Sequence, residues 1–173
     1  MFFWPFNQQM GFPVALALRT TSDGIRMAKW PVAELSTLIT RERSLKNRTL
    51  KPGQNPLKSW NAELLDVESE IEPGAARTVT WNLRGAKFEW SANSKTLTAF
   101  SRSVPLAPIN SRLRFRFLVD RSSVEFFGND GIVTLSQCFL PRPDDQDLGL
   151  TCEGGSARIV NLKVRSLNSA WPR

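Results

Sequence analysis

Histidine is missing from all 173 residues. Its absence removes the Ser-His-Asp and Cys-His nucleophile arrangements in their usual forms, together with imidazole-based metal sites. Cysteine is almost as scarce. Cys138 and Cys152 lie fourteen positions apart with no CxxC spacing, so buried apolar residues on strands, a disulfide and reactive thiols all stay open. Neither a metal nor a cofactor is expected. No apolar run approaches the ~18 residues that cross a bilayer. The opening MFFWPF is too short for a signal core and lacks a basic leader and a cleavage site, so it carries no evidence of export.

Acidic residues are thin only in the first third. Residues 1–60 carry nine Lys/Arg against three Asp/Glu, whereas residues 61–173 carry fourteen against thirteen. The net charge of +7 therefore comes mainly from RERSLKNRTLKPGQNPLK, which reads as a solvated connector. Nucleic-acid binding concentrates base on one face of a folded module, often beside stacking aromatics. No nucleic acid and no membrane are expected as partners.

What is present is a succession of short strands. Phe12–Leu18 and IRMAKWPV flank the turn Ser22-Asp23-Gly24, a two-stranded hairpin that is marginal alone and should belong to a larger sheet. AELSTL, from Ala33 to Leu38, suits a short helical turn. Pro52, Gly53 and Pro56 argue against regular structure beyond it. From about Asn61 the period becomes two. Leu65, Val67 and Ile71 share a face in part, Val79, Trp81 and Leu83 another, and Leu113, Phe115, Phe117 and Val119 alternate with Arg114, Arg116 and Asp120. Asn129-Asp130-Gly131 is a hairpin turn, because these residues tolerate positive φ. Nine or ten short strands with frequent turns predict an all-β, two-sheet antiparallel sandwich of jelly-roll or concanavalin-like type. The chain divides into residues 1–38 with the hairpin and helical turn, 39–60 as basic connector, and 61–173 as sandwich.

Two stretches carry a family resemblance. FRFLVDRSSVEFFGNDGIVTLSQCFLP, Phe115 to Pro141, resembles the signature of the C-terminal β-sandwich of glycoside hydrolase family 32, the levanases, inulinases, invertases and related β-fructofuranosidases. FNQQMGFPVALALRTTSDGIRMAKWPV, Phe6 to Val32, is similar to the segment that finishes that family's five-bladed catalytic propeller. The closing EGGSARIVNLKVRSLNSAW also fits. The resemblance implies that the hairpin is a remnant of the last blade. The earlier blades are then expected on the same polypeptide or another, and a secreted or periplasmic location is suggested.

Retaining glycosidases need two carboxyl groups about 5 to 5.5 Å apart. The family carries its acids in propeller motifs of the kind NDPNG, RDP and EC. Asn129-Asp130 is followed by Gly131, PRPDD is not RDP, and neither cysteine follows a glutamate. No catalytic residue is carried over. Asp120 and Glu125 form the most tempting acid pair. The alternative reading has Asp120 fixing a turn through Ser122 or Ser123 and an arginine, and Glu125 pairing with Arg114 or Arg116 across strands.

Trp81, Trp90 and Arg121 are the substrate-binding candidates, with core burial as the competing reading for both tryptophans. Phe6, Phe12, Leu16, Leu18 and Trp30 are the candidates for contact with a propeller or other partner, and Phe2, Phe3, Trp4 and Trp60 would extend that apolar patch. The expected function is a non-catalytic accessory domain of a fructan- or sucrose-degrading hydrolase, stabilising its catalytic propeller. The alternative is a stand-alone fructan-binding module. Expected partners are the catalytic propeller and a fructan or fructose, with a homo-oligomer left open.

Overall fold

The computed structural model describes residues 10–142, 144–145 and 147–170. Phe6, with Phe2, Phe3 and Trp4, lies outside the described residues. Among those described, thirteen strands form three antiparallel sheets. β1 (Val14–Thr21) and β2 (Gly24–Pro31) make the expected hairpin, and a 3₁₀ turn spans Ala33–Leu38. β3 (Ile39–Leu50), β4 (Leu65–Glu72), β9 (Leu113–Val119), β10 (Ser123–Gly128), β11 (Val133–Cys138) and β13 (Ala157–Leu167) build a six-stranded sheet in the order β11-β10-β9-β4-β13-β3. β5 (Thr78–Leu83), β6 (Ala86–Ser91), β7 (Thr96–Ala99), β8 (Arg102–Pro105) and β12 (Leu148–Glu153) build the second, ordered β12-β5-β6-β7-β8.

The basic stretch expected as a connector is a correction. Its first half is β3, twelve residues paired with β13 from Leu50↔Ala157 to Ile39↔Leu167. Charge does not forbid this, because β3 is an edge strand and its Arg and Lys side chains point mostly to water. Exposed charge on an edge also discourages a second chain from adding to it.

The strands arise from the alternation described above. Leu113, Phe115, Phe117 and Val119 all lie in the core, facing Val79, Trp81 and Leu83 of the other sheet. The rings interlock. Trp81 and Phe115 have centroids 4.0 Å apart, Phe88 and Phe117 4.9 Å, and Phe117 and Phe126 5.3 Å. Removing each large apolar side chain from water contributes about 1.5–3 kcal/mol. The β10–β11 hairpin turns where predicted, with Asn129, Asp130 and Gly131 all at positive φ.

The outer face of the six-stranded sheet positions the features below. Arg114, Arg116 and Leu118 of β9, Glu125 and Phe127 of β10, Asp66 and Glu68 of β4 and Arg165 of β13 belong to it. Leu118 and Phe127 join Leu35 of the 3₁₀ turn in a small second core, with Phe12, Val14, Trp30, Val32 and Leu38 packed around it. That satellite core seats the β1–β2 hairpin on the sandwich.

Candidate functional site

Register and alternation give the hairpin two faces. Arg19 pairs across to Arg26, Ala17 to Ala28 and Ala15 to Trp30, and this face turns to the sandwich. Ala28 is buried there, and Trp30 meets the edge of Phe127 at 6.2 Å. The opposite face carries Leu16, Leu18, Ile25 and Met27. These are 62, 76, 67 and 51% exposed, a contiguous set of large apolar side chains on a seated element. Such exposure marks an interaction surface more often than chance scatter does.

Two backbone contacts fix the hairpin. Lys29 N–H donates to the Gly131 carbonyl at 3.0 Å, and a Cβ on Gly131 would collide with the Lys29 carbonyl. Glu125 Oε1 accepts the Phe12 N–H at 2.6 Å. A Cβ on Gly11 would stand 2.7 Å from the same oxygen, so a larger residue there would have to displace the Glu125 carboxylate. Glu125 is 5% exposed. Burial pushes its carboxyl above the usual range, partly offset by the Phe12 N–H and by Lys29.

Beside the hairpin base, the sheet carries an ion network. Asp66 accepts from Arg116 at two oxygens, 3.0 and 3.1 Å, and from Arg165 at 3.0 Å. Arg165 also donates to Glu42 Oε2 at 2.7 Å and to Glu68 Oε2 at 3.3 Å. The Arg165 hydrogen bond holds the Glu42 carboxyl below its ordinary range. These groups floor an open cleft of about 470 Å³, walled by Trp30, Pro31, Val32 and Ile39. The Arg116 guanidinium sits 5.2 Å from the Trp30 ring centroid. A second cleft of about 390 Å³ opens between Phe12, Leu38, Leu64, Val119 and Leu167, with Arg121 in its lining.

The residues expected at a site are thus redistributed. Trp81 and Trp90 are in the sandwich core, at 0 and 2% exposure, so neither offers a ring to a ligand; Trp90 Nε1 donates to the Leu106 carbonyl at 2.8 Å. Arg121 is at the surface, bidentate on Glu63 at 3.0 and 3.3 Å. Of the partner-contact candidates, Leu16 and Leu18 are exposed, whereas Phe12 and Trp30 pack within the chain. Trp60 is buried rather than part of an exposed patch, with the Arg41 guanidinium 4.4 Å from its centroid.

Asp120 and Glu125 do different work. Asp120 Oδ1 accepts the Arg121 N–H at 2.7 Å, and its own N–H donates to the Ser123 carbonyl. Glu125 does not take the expected arginine. Arg114 is held by Glu70 and Asp130, and Arg116 by Asp66. Glu42, Glu68 and Arg165 gave no sequence signal, because each sits in a different strand of charged alternation. No disulfide joins Cys138 and Cys152; the first is exposed and the second buried.

Comparison with known proteins adds the following. The family model described as "Glycosyl hydrolases family 32 C terminal" matches residues 34–166. A levanase of Bacillus sp. (strain L7) is 32% identical over 94% of this chain and 20% of its own length. A levanase of Bacillus subtilis (strain 168) is 29% identical over 96% of this chain and 28% of its own. The chain therefore spans a fifth to somewhat over a quarter of these relatives. The crystal structure of an exo-inulinase from Aspergillus awamori superposes with a TM-score of 0.79 at 21% identity, over 93% of this chain and 36% of that one. At that identity the likeness is one of fold.

Proposed function

Because this chain belongs to glycosyl hydrolase family 32, matching its C-terminal domain, we propose that it is the non-catalytic accessory part of a fructan-degrading hydrolase. Its task is to seat against a catalytic propeller and stabilise it. The observation that carries this reading is the hairpin face of Leu16, Leu18, Ile25 and Met27, exposed on an element fixed to the sandwich by Gly131 and Glu125. A docked surface would remove those four side chains from water, at about 25 cal/mol per Å² of apolar area. The family's acids belong to propeller motifs, and Glu125 is occupied by a backbone N–H, so no cleavage step is assigned to this chain.

The test is a replacement in the levanase of Bacillus sp. (strain L7), exchanging the region this chain matches for the chain itself. The expected result is a folded chimera that releases fructose from levan and melts above the same enzyme with the region deleted. The isolated chain should release none. A chimera no more stable than the deletion, or fructose release by the chain alone with contaminating hydrolase excluded, overturns the reading.

A further inference from the structure

We infer that the β3 edge of the sandwich holds a linear polyanion of open-chain polyol units joined by phosphodiesters. Two features of that strand carry the inference: a row of cations without counter-charge, and an acid-free notch at one end of the row. The row lies on the core side of the sheet's rim, whereas the hairpin sits on the outer face, so this binding does not depend on the accessory reading.

Elsewhere on the six-stranded sheet the arginines are neutralised. Arg114, Arg116, Arg158 and Arg165 each meet a carboxylate. β3 and the stretch after it differ. Residues 43–62 carry five Lys/Arg and no Asp or Glu. Among the described residues, Arg41, Arg43, Arg48, Lys51 and Lys58 form no ion pair, and all five are exposed. A surface that serves only solubility intersperses the two signs, as the rest of this sheet does.

Register puts the arginines on one face. Arg43 and Arg48 pair with Val164 and Ile159 of β13, both core residues, so the two arginines share a side although their spacing is odd. Asn47 between them, at φ 50, kinks the strand and restores the phase. Arg41, two positions before Arg43, lies over the Trp60 ring. Arg43 Nη1 donates to Ser59 Oγ at 3.2 Å, which anchors the segment carrying Lys58 beside the row. At about 3.3 Å per residue, Arg41 to Arg48 spans about 23 Å, a length that suits a polymer rather than a single ion.

The notch lies between Arg48 and residues 54–56, with a volume of about 210 Å³ and no acidic side chain in its lining. Gln54 Oε1 accepts the Lys51 N–H at 3.1 Å, so Gln54 has its amide N–H groups to offer. Asn55 fixes the wall, donating to the Leu148 carbonyl and accepting from Leu57 and Leu150 N–H. A guanidinium fork beside amide donors suits one phosphate group of the polymer.

The row also selects among polyanions. Nucleic acid needs rings on which bases stack, but Trp60, the one aromatic of residues 39–62, is buried beneath Arg41. A membrane needs apolar side chains that insert, and no large apolar residue of β3 is exposed. Strands twist, so a stiff polymer of sugar rings would part from the row where a polyol phosphate follows it.

The test titrates the full chain calorimetrically with a glycerol phosphate oligomer of about ten units, at 50 and 200 mM salt. About three to five phosphate contacts should make the affinity fall about 20- to 100-fold between those two salts. Arg43→Gln/Arg48→Gln should weaken binding at least about tenfold at the lower salt and flatten the salt dependence. Its urea unfolding should stay near wild type, since both side chains are exposed. Arg102→Gln, on β8 at an edge of the other sheet, should change nothing. No binding at the lower salt, binding indifferent to salt, binding unchanged in Arg43→Gln/Arg48→Gln, or an equal loss in Arg102→Gln overturns the inference. Tighter binding of a thymidine decanucleotide or of polygalacturonate overturns it too, by assigning the row to nucleic acid or to a stiff carboxylate polymer.

Discussion

The Glu125 carboxylate accepts a hydrogen bond from the backbone N–H of Phe12 at 2.6 Å, across 113 positions of sequence. It joins the hairpin to the sandwich through a charged group that burial disfavours. The carboxyl is pushed above its ordinary 4.5, chiefly by desolvation, against the Phe12 N–H and Lys29. A raised carboxyl pKa means that the folded state holds the proton more tightly than the unfolded one. The contribution of this group is then fully present below the unfolded pKa and declines as pH rises through the folded value. The stability difference between wild type and Glu125→Gln should therefore shift against wild type as pH increases from about 3 to about 7. Urea titration at each pH measures it, and a pH-independent difference would remove Glu125 from this role.

Gly131 tests the second anchor. Its φ of +85 is a left-handed conformation that strains any side chain, and a Cβ would meet the Lys29 carbonyl. Gly131→Ala should cost about 1–3 kcal/mol. Much of that cost should be relieved by lifting the hairpin. Limited proteolysis should cut within residues 14–31 faster than in wild type, while the sandwich fragment persists.

Trp81 tests the packing between the two sheets. Its ring lies 4.0 Å from Phe115, and its buried Nε1 has no hydrogen-bond acceptor among the described residues. Trp81→Ala should lose about 3–5 kcal/mol in urea unfolding. Trp81→Phe should lose less, because it also removes an indole N–H that pays a desolvation cost. A loss from Trp81→Phe as large as that from Trp81→Ala would overturn the packing role of the ring.

The hairpin face predicts a variant that is silent alone. Leu18→Asp/Met27→Asp alters two exposed residues directly paired across β1 and β2. The isolated chain should change by no more than about 0.5 kcal/mol per substitution. In the levanase chimera the same pair should abolish the gain in melting temperature. Equal stabilisation with and without the two aspartates would place the contact elsewhere.

Strands with one dry face were legible in the sequence. Phe115 and Phe117 alternate with Arg114 and Arg116 because β9 faces the core on one side and ion pairs on the other. The same rule hid β3. With Leu45 only partly buried and Leu50 at the strand's end, an edge strand lacks the apolar period that betrays an inner one. Trp60 read as part of an apolar patch left open beside the hairpin, yet it is buried in the core and Arg41 covers its ring. The partner of Glu125 had no local signature at all. A backbone N–H 113 positions away is set by how the hairpin lies on the sheet, which no spacing encodes. The cleft around Arg165 escaped for a related reason: Glu42, Asp66 and Glu68 come from β3 and β4, and only β13 running between those strands brings them together.

The place of β13 in its sheet has a bearing on biosynthesis. Of the described strands it is the last in sequence, yet it lies between two early ones, β4 and β3. Until it arrives, those two have a slot where a neighbour should be, and their backbone amides facing that slot are open to any passing extended peptide. Within the described residues, β3 can join the sheet only once β13, Ala157–Leu167, is available to bridge it to β4.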